Sequence, residues 1–386
     1  MGSLRVLELY SGIGGMHYAL KESGVPAQVV AAVDINTTAN QIYRHNFPDT
    51  PLWPKTIEGI TLDDFNKLSF DMILMSPPCQ PFTRIGLQGD IADPRTKSFL
   101  YILDLLPRLA RLPHYILLEN VKGFETSSAR ECLVKTLKDC GYTFQEIMVS
   151  PTSVGIPNSR LRYFLIAKAS PGSFSFQTSS EVRQVDCSSV IIWRNNASDL
   201  PTVSEPFCPG TRQQEENAEE SRVLYKLETT KDARRKSDQN SDLSVQQIQG
   251  FLEPRTEAAR YLLPPKVLLR YGVLMDIVRP TCRRSVCFTK GYGHYVEGTG
   301  SVLQSCMETE LESVFKGLDQ QSEEEKLQQL LKLKLRYFTP REIANLMGFP
   351  QSFAFPEQIS TKQQYRVLGN SLNVVVVTRL IQLLVS

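Results

Sequence analysis

The segment MSPPCQPF, residues 75–82, carries the residue whose chemistry is easiest to name. Two prolines fix the backbone directly before Cys79, at the end of the apolar run FDMILM, on the edge where open α/β sheets place their ligands. A thiol held that rigidly is a nucleophile once ionised, and ionisation calls for a nearby positive charge or helix N-terminal amides. The other reading is an inert core cysteine, which the flanking PP and Q argue against. In LLENVKGF, residues 117–124, Glu119 and Asn120 end another apolar run. A partly desolvated carboxyl on that edge stays protonated or exchanges a proton with a neighbour; capping the next helix and pairing with an arginine are its other uses. NSRLRYFLIAK, residues 158–168, sets Arg160 and Arg162 two apart on an expected strand, so both face one way. Two guanidiniums on one face suit a phosphate, a carboxylate or a base edge, although a solvated edge strand has the same pattern.

A second group of residues points to a ligand held by backbone. ELYSGIGGM, residues 8–16, runs from a strand into Gly12, Gly14 and Gly15 and then a helix-compatible MHYAL. Glycines allow positive φ and close approach of N–H groups to a ligand. The spacing is neither the dinucleotide fingerprint nor a P-loop, and a tight structural turn reads the same way. Asp34 strengthens the ligand reading: it ends the second strand about twenty residues on, where a carboxylate accepts hydrogen bonds from both hydroxyls of a ribose. Its alternative is a helix N-cap.

The elements that must position these groups follow a βαβα rhythm. LRVLELY, VVAAVDI, FDMILM, YILLEN and RLRYFLIAK alternate with amphipathic segments between residues 4 and 168, which predicts a parallel sheet with crossover helices. One helix is expected from Ser98 to Leu109. The 1–169 region is therefore read as a catalytic and cofactor-binding domain. Residues 170–242 are rich in Ser, Gln, Glu, Lys and Arg, and are expected to form a largely disordered insert. Apolar pattern returns over 243–337, predicting a smaller domain, with a polar helix at about 308–334. Residues 338–386 are expected to complete the first domain. There Thr339, Pro340 and Glu342 take N-cap, N1 and N3 of a capping box, and an apolar helix covers about 372–384.

With 386 residues, 41% of them hydrophobic, the chain is long enough for a sizeable core. No leader pattern and no apolar run of membrane-spanning length is seen, so an intracellular, cytoplasmic protein without a membrane partner is expected. A nuclear location stays open, but KDARRK (231–236) is too short to serve as a nuclear address. Eight cysteines without paired CxxC spacing read as free thiols rather than as disulfides or a metal site. A formal charge of +2 demands no polyanion partner, though a local basic face is compatible with it.

Taken in order, 8-ELYSGIGG-15, 76-SPPCQ-80, 119-ENV-121, 160-RLR-162, 339-TPRE-342 with 348-GFP-350, and 366-RVLGNS-371 resemble the cytosine-C5 methyltransferase family. The resemblance covers residue 4 to about 168 and about 338 to the end. It implies the class I S-adenosylmethionine-dependent methyltransferase fold: an α/β architecture with a mixed seven-stranded sheet, helices on both faces and a smaller target-recognition domain. It also implies S-adenosylmethionine as cofactor, touched by Ile13, Gly14, Gly15, Asp34, Ile57, Glu58, Ser76 and Ser371. Cys79 would add to C6 of cytosine, Glu119 would hydrogen-bond or protonate N3, and Arg160 and Arg162 would hold the ring. The physical reading agrees: an aromatic cytosine carbon is a poor nucleophile, a covalent adduct activates it, and the base must leave its stack.

Within the family, 77-PPCQPFT-83 and 287-CFT-289 are most similar to the branch that methylates an anticodon-loop cytosine of aspartate tRNA. tRNA is thereby the implied partner, with DNA a weaker one. Two departures, Asn158-Ser159 before Arg160 and Tyr10-Ser11 before the glycines, weaken transfer of substrate preference from the DNA enzymes. The likeness of 282-CRRSVCFTKGYGHYVEGTGSV-302 to the same branch implies RNA contact by Arg283, Arg284, Lys290, Tyr292 and Tyr295, because aromatics stack on unpaired bases. Cys287 either assists or is an ordinary strand thiol. The competing readings are a DNA cytosine-5 methyltransferase of weak activity and a non-catalytic cofactor- and RNA-binding protein.

Overall fold

The computed structural model describes residues 2–79, 90–185, 229–254, 260–295 and 297–386. In chain order the first part contains β1 (Leu4–Leu9), α1 (Gly15–Glu22), β2 (Ala27–Val33), α2 (Thr37–Asn46), β3 (Leu52–Trp53), α3 (Leu62–Leu68), β4 (Met72–Met75), α4 (Lys97–Leu105), β5 (Tyr115–Val121), α5 (Ser128–Asp139), β6 (Tyr142–Val149), β7 (Arg162–Ala169) and β8 (Arg183–Val185). The strands form one sheet in the order β3-β2-β1-β4-β5-β7-β6-β8. From β3 to β5 the pairs are parallel. β7 then runs antiparallel to both β5 and β6, which makes the sheet mixed.

Side chains alternate across this sheet, as the strand period of two requires. Val6 of β1, Leu74 of β4 and Leu117 of β5 join the core on one face, whereas Leu7, Leu9, Ile73, Met75, Ile116 and Leu118 join the core on the other. The strand order reverses between β1 and β4, so the crevice at their carboxyl ends is the topological switch point where ligands bind. β7 adds to this edge from the opposite direction. Being antiparallel, it begins where β5 ends, with Arg162 opposite Val121 and Phe164 opposite Glu119.

The sheet has one strand more than the seven expected. β8 pairs parallel with β6 and belongs to the 170–242 stretch read as disordered insert. Phe174 and Phe176, with ring centroids 5.0 Å apart, pack against the main core and anchor this edge. Residues 186–228 lie outside the described residues, among them the apolar islands at 190–193 and 223–227. The other flank of the stretch forms α6 (Thr230–Ser241), opened by a capping box between Thr229 and Asp232. An ion pair of Lys236 with Asp276 at 3.0 Å and an Arg283 N–H donated to Asn240 at 3.1 Å dock it. Polar docking of this kind leaves no apolar periodicity to read.

The smaller unit comprises α7 (Pro265–Tyr271), β9 (Ile277–Val278), β10 (Val302–Gln304), α8 (Leu311–Phe315), α9 (Glu323–Lys332) and β11 (Leu335–Arg336). Its core gathers Leu263, Leu268, Ile277, Val302, Leu330 and Leu335 around the sheet β11-β10-β9. The single polar helix expected at 308–334 is two, α8 and α9, because Gly317 at φ 72 breaks the run and Ser322 with Glu325 caps a new start. The chain closes with α10 (Pro340–Leu346), α11 (Thr361–Gly369) and α12 (Val374–Val385). The expected Thr339–Glu342 capping box is present at α10, and the apolar α12 packs against α1, β5 and β7 to complete the first core.

One buried acid marks the back of the glycine turn. Glu8 of β1 is fully buried; the Tyr43 hydroxyl donates to its Oε2 at 2.7 Å, and His17 Nδ1 lies 2.8 Å from that hydroxyl. Burial pushes the Glu8 carboxyl up to about 8. A carboxyl raised in the folded state keeps a proton that the unfolded chain releases above its ordinary value of 4.5. Stability therefore falls as pH rises through that window, by up to about 1.4 kcal/mol per pH unit. We expect thermal unfolding to show this decline between pH 5 and pH 8 and Glu8→Gln to flatten it; an unchanged slope in the variant would contradict the assignment.

Candidate active site

Beyond Met75, the last residue of β4, the chain leaves the sheet at Ser76. The Ser76 hydroxyl donates to the Tyr10 carbonyl at 3.2 Å, and the Asn120 amide donates to the Pro77 carbonyl at 3.4 Å. These bonds clamp the Ser76–Cys79 stretch between the ends of β1 and β5. Asn120 is thus a positioning group for the prolines, a role that nothing local in the ENV segment announces.

Cys79 lines a cavity of about 570 Å³ together with Glu119, Arg160 and Arg162. Its thiol differs from the expectation of an ionised nucleophile. Burial and the negative charge of Glu119 push it up, and the guanidiniums of Arg162 and Arg160 oppose this without reversing it. Glu119 is also raised, by burial, against the same two arginines. Both shifts widen the pH range over which the protonated form persists, which keeps the thiol from ionising early and makes Glu119 a readier proton donor than a free carboxyl. Cys79 reactivity should rise with pH, with a midpoint above that of an ordinary thiol. Glu119→Gln, which removes the opposing charge, should lower that midpoint. Iodoacetamide labelling of Cys79 against pH, read by peptide mass, checks this; a midpoint unmoved in the variant would contradict the coupling.

Arg162 and Glu119 lie diagonally across the β5–β7 pair on one face, with Arg162 Nε 3.6 Å from Glu119 Oε1. Arg160 is not on the strand, which begins at Arg162, so the expected two-residue alternation is not what places it. It is buried instead, donating to the carbonyls of Phe288 at 3.1 Å, Gly369 at 3.1 Å and Ser371, and to Cys287 Sγ at 3.2 Å. Its Nε is buried without a partner. Arg162 Nη2 reaches the same Cys287 sulfur at 3.7 Å. Although burial raises the Cys287 thiol, the two guanidiniums bring it below its ordinary value. Cys287 therefore stands against both arginines rather than as an ordinary strand thiol.

The other end of the cavity is built on the glycine turn. Asp34 accepts from the Gly12 N–H at 2.8 Å and from the Asn36 N–H at 2.7 Å, so β1 and β2 are tied together under the crevice. The N-cap of α2 is Asn36, not Asp34, which leaves the Asp34 carboxylate facing the cavity. Ile13, Gly15, Ile57, Glu58, Ser76 and Ser371 line it as well. Gly14 does not: at φ 85 it caps α1, and a Cβ there would collide with the Phe47 ring. At Gly15 a Cβ would press on Ser371 Oγ and Leu372, so glycine brings the turn and the C-terminal segment together. Motif reading misses Ile35, Lys55, Arg95, Ser98 and Asn370, all of which face the cavity. Ile35 at 66% exposure, directly after Asp34, is the legible one, since an exposed isoleucine beside a ribose acceptor offers an apolar wall.

The five residues expected to contact RNA divide. Arg284 is buried and paired with Asp276 at 2.8 Å, and Tyr292 is buried with its hydroxyl donating to the Ser301 carbonyl at 2.7 Å. Arg284 is spent on an ion pair within the smaller unit, and Tyr292 packs into the main core. Arg283 is half-buried, whereas Lys290 and Tyr295 are exposed. Gln80 to Thr83, part of the motif around Cys79, lie outside the described residues.

Comparison with known proteins places these features in context. Residues 4–386 match the family described as C-5 cytosine-specific DNA methylase. The chain is 57% identical over 398 residues to the Homo sapiens protein named tRNA (cytosine(38)-C(5))-methyltransferase, covering 100% of both. Among solved structures, it is similar to a Spodoptera frugiperda DNMT2 mutant, with TM-score 0.78, 38% identity and 100% of both chains covered. It is also similar to the Schizosaccharomyces pombe Dnmt2 methyltransferase, with TM-score 0.74, 36% identity, and 99% and 98% of the two chains covered.

Proposed function

From the premise that this chain belongs to the C-5 cytosine-specific DNA methylase family, we propose that it methylates C5 of a cytosine in the anticodon loop of tRNA, aspartate tRNA in particular. S-adenosylmethionine is the methyl donor, and a bond between Cys79 and C6 of the base activates the ring. The observation that carries this reading is one cavity shared by Cys79, Glu119, two arginines and the Asp34 glycine turn. The tRNA assignment draws on the name of the human relative, matched along its whole length.

The cavity fits the cofactor. Asp34 offers a carboxylate for ribose hydroxyls, Ser11 Oγ is buried without a partner, and Ile35 supplies an apolar wall. Ile13, Gly15, Ile57, Glu58, Ser76 and Ser371 complete the lining. When bound, the cofactor supplies an electrophilic methyl group on a sulfonium that departs as a neutral thioether. On the protein side, the Cys79 thiol gives its proton to solvent and the sulfur bonds to C6. Glu119 hydrogen-bonds or protonates N3, so that electron density reaches C5. Once C5 carries the methyl group, its proton passes to solvent, the electrons of that C–H bond re-form the C5–C6 double bond as the sulfur–C6 bond breaks, and Glu119 takes back any proton given to N3. Arg162 and the unpartnered Nε of Arg160 supply donors to the ring and the intermediate.

A DNA substrate is the second reading, favoured by the wording of the family description. The two separate in one assay, methyl incorporation from labelled cofactor into total tRNA and into unmethylated duplex DNA. We expect tRNA to be labelled at least about a hundredfold faster; equal or reversed rates would overturn the tRNA assignment. Duplex binding with a salt slope reporting several phosphates would support the DNA reading instead.

A further inference from the structure

The turn at residues 289–295 carries two exposed aromatic rings, and its first residues touch the cavity rim. Tyr295 is 65% exposed, and its ring meets that of the exposed His294 at 4.6 Å and 67°. A single exposed tyrosine is ordinary; this one differs in how it is held. The Tyr295 N–H donates to the Gly291 carbonyl at 2.9 Å and the His294 N–H to the same carbonyl at 3.0 Å. The Tyr295 carbonyl accepts from the Thr299 hydroxyl at 2.7 Å. A Cβ at Gly291 would lie 3.0 Å from the Tyr295 ring, so the ring packs onto the bare glycine. Gly293, at φ 75, sits against the Tyr365 ring. The base of the turn is Tyr292, buried among Phe288, Tyr337 and Tyr365, with its hydroxyl accepting from the Phe338 N–H at 2.9 Å.

The turn reaches the cavity at its rim. The Lys290 backbone packs so closely on Gly369 that no Cβ fits there. The Gly369 carbonyl accepts from Arg160, and Gly369, Asn370 and Ser371 line the cavity. One contact therefore joins the turn to the cavity rim, and Lys290, whose backbone makes it, is an exposed residue. A held aromatic face with an exposed lysine in the same turn suits an unpaired nucleobase and its phosphate.

We propose that Tyr295, backed by His294, is a stacking platform for an unpaired RNA base next to the target cytosine, with Lys290 meeting the adjoining phosphate. This rests on the RNA reading above and deepens it: the site would hold the strand open after the target base has left its stack.

The test uses the full chain and a stem-loop RNA carrying 2-aminopurine at each unpaired position flanking the target cytosine in turn. Stacking on a tyrosine quenches the fluorophore. One of the two positions is expected to quench on binding, with the quench lost in Tyr295→Ala and kept in Tyr295→Phe. For methylation, Tyr295→Ala should raise KM for RNA about tenfold, with kcat within about twofold; His294→Ala should have a smaller effect in the same direction. An unaltered quench and KM in Tyr295→Ala would overturn the proposal. So would a Tyr295→Phe variant as impaired as the alanine one, since the hydroxyl rather than the ring face would then be the contact. Quenching is read without turnover. Quenching with no RNA methylation would therefore count against the substrate assignment while supporting the platform.

Discussion

Replacing Cys79 with alanine abolishes methyl transfer, by about 10³-fold or more, and leaves cofactor affinity within about twofold. The separation follows from the layout of the cavity. Asp34, Ser11 and Ile35 lie on the glycine-turn side, whereas Cys79 is clamped beside Glu119 and the arginines. The fold does not lean on the thiol: the bonds that hold the segment run through Ser76 and Pro77, so loss of one sulfur should cost about 1 kcal/mol of stability or less. Cofactor titration by calorimetry, thermal unfolding and single-turnover methylation read the three consequences separately. An alanine variant with ordinary turnover would remove covalent activation from the account.

Arg160→Ala should do the opposite kind of damage, weakening the fold and the cofactor site together. The guanidinium joins the 287–288 segment to the 369–371 segment through the carbonyls of Phe288, Gly369 and Ser371. Truncation leaves these acceptors without their charged donor in a buried place, a loss of roughly 3–5 kcal/mol. Because Gly369 and Ser371 line the cavity, cofactor affinity should fall with stability, on the order of tenfold. Arg160→Lys should recover little, since a single ammonium cannot span carbonyls that a planar fork reaches. Arg162→Ala, whose ion partner is the 3.6 Å contact with Glu119, should lower turnover with a much smaller change in unfolding. Chemical denaturation of the three variants beside cofactor titration checks this order. Equal stability of Arg160→Ala and Arg162→Ala would contradict it.

The parts of the site legible in the sequence are those where local chemistry is coercive. Paired prolines before Cys79, glycines after a strand, and Thr339 three residues ahead of Glu342 each state their geometry within a few residues. The illegible parts depend on contacts between distant segments. Arg160 and Arg162 look like neighbours on a strand, yet Arg160 precedes β7 and turns into carbonyls some 130 to 210 residues away. Cys287 meets Arg162 across 125 residues, so its lowered thiol has no local signature. The expectation of an ionised Cys79 rests on positive charge nearby, and that charge is present, but burial and Glu119 outweigh it. Tyr292 and Tyr295 share one Gly-Tyr pattern, and only packing separates a buried anchor from an exposed ring.

The central claim is a transient bond between Cys79 and C6 of the target base. It is tested most directly with tRNA containing 5-fluorocytosine, because a C5–F bond cannot release the proton that frees the enzyme. The account predicts a denaturant-resistant protein–RNA complex that requires S-adenosylmethionine, maps to a Cys79 peptide and is absent in Cys79→Ala. Methyl transfer to ordinary tRNA with no trapped complex, or a complex attached at another cysteine, would contradict it.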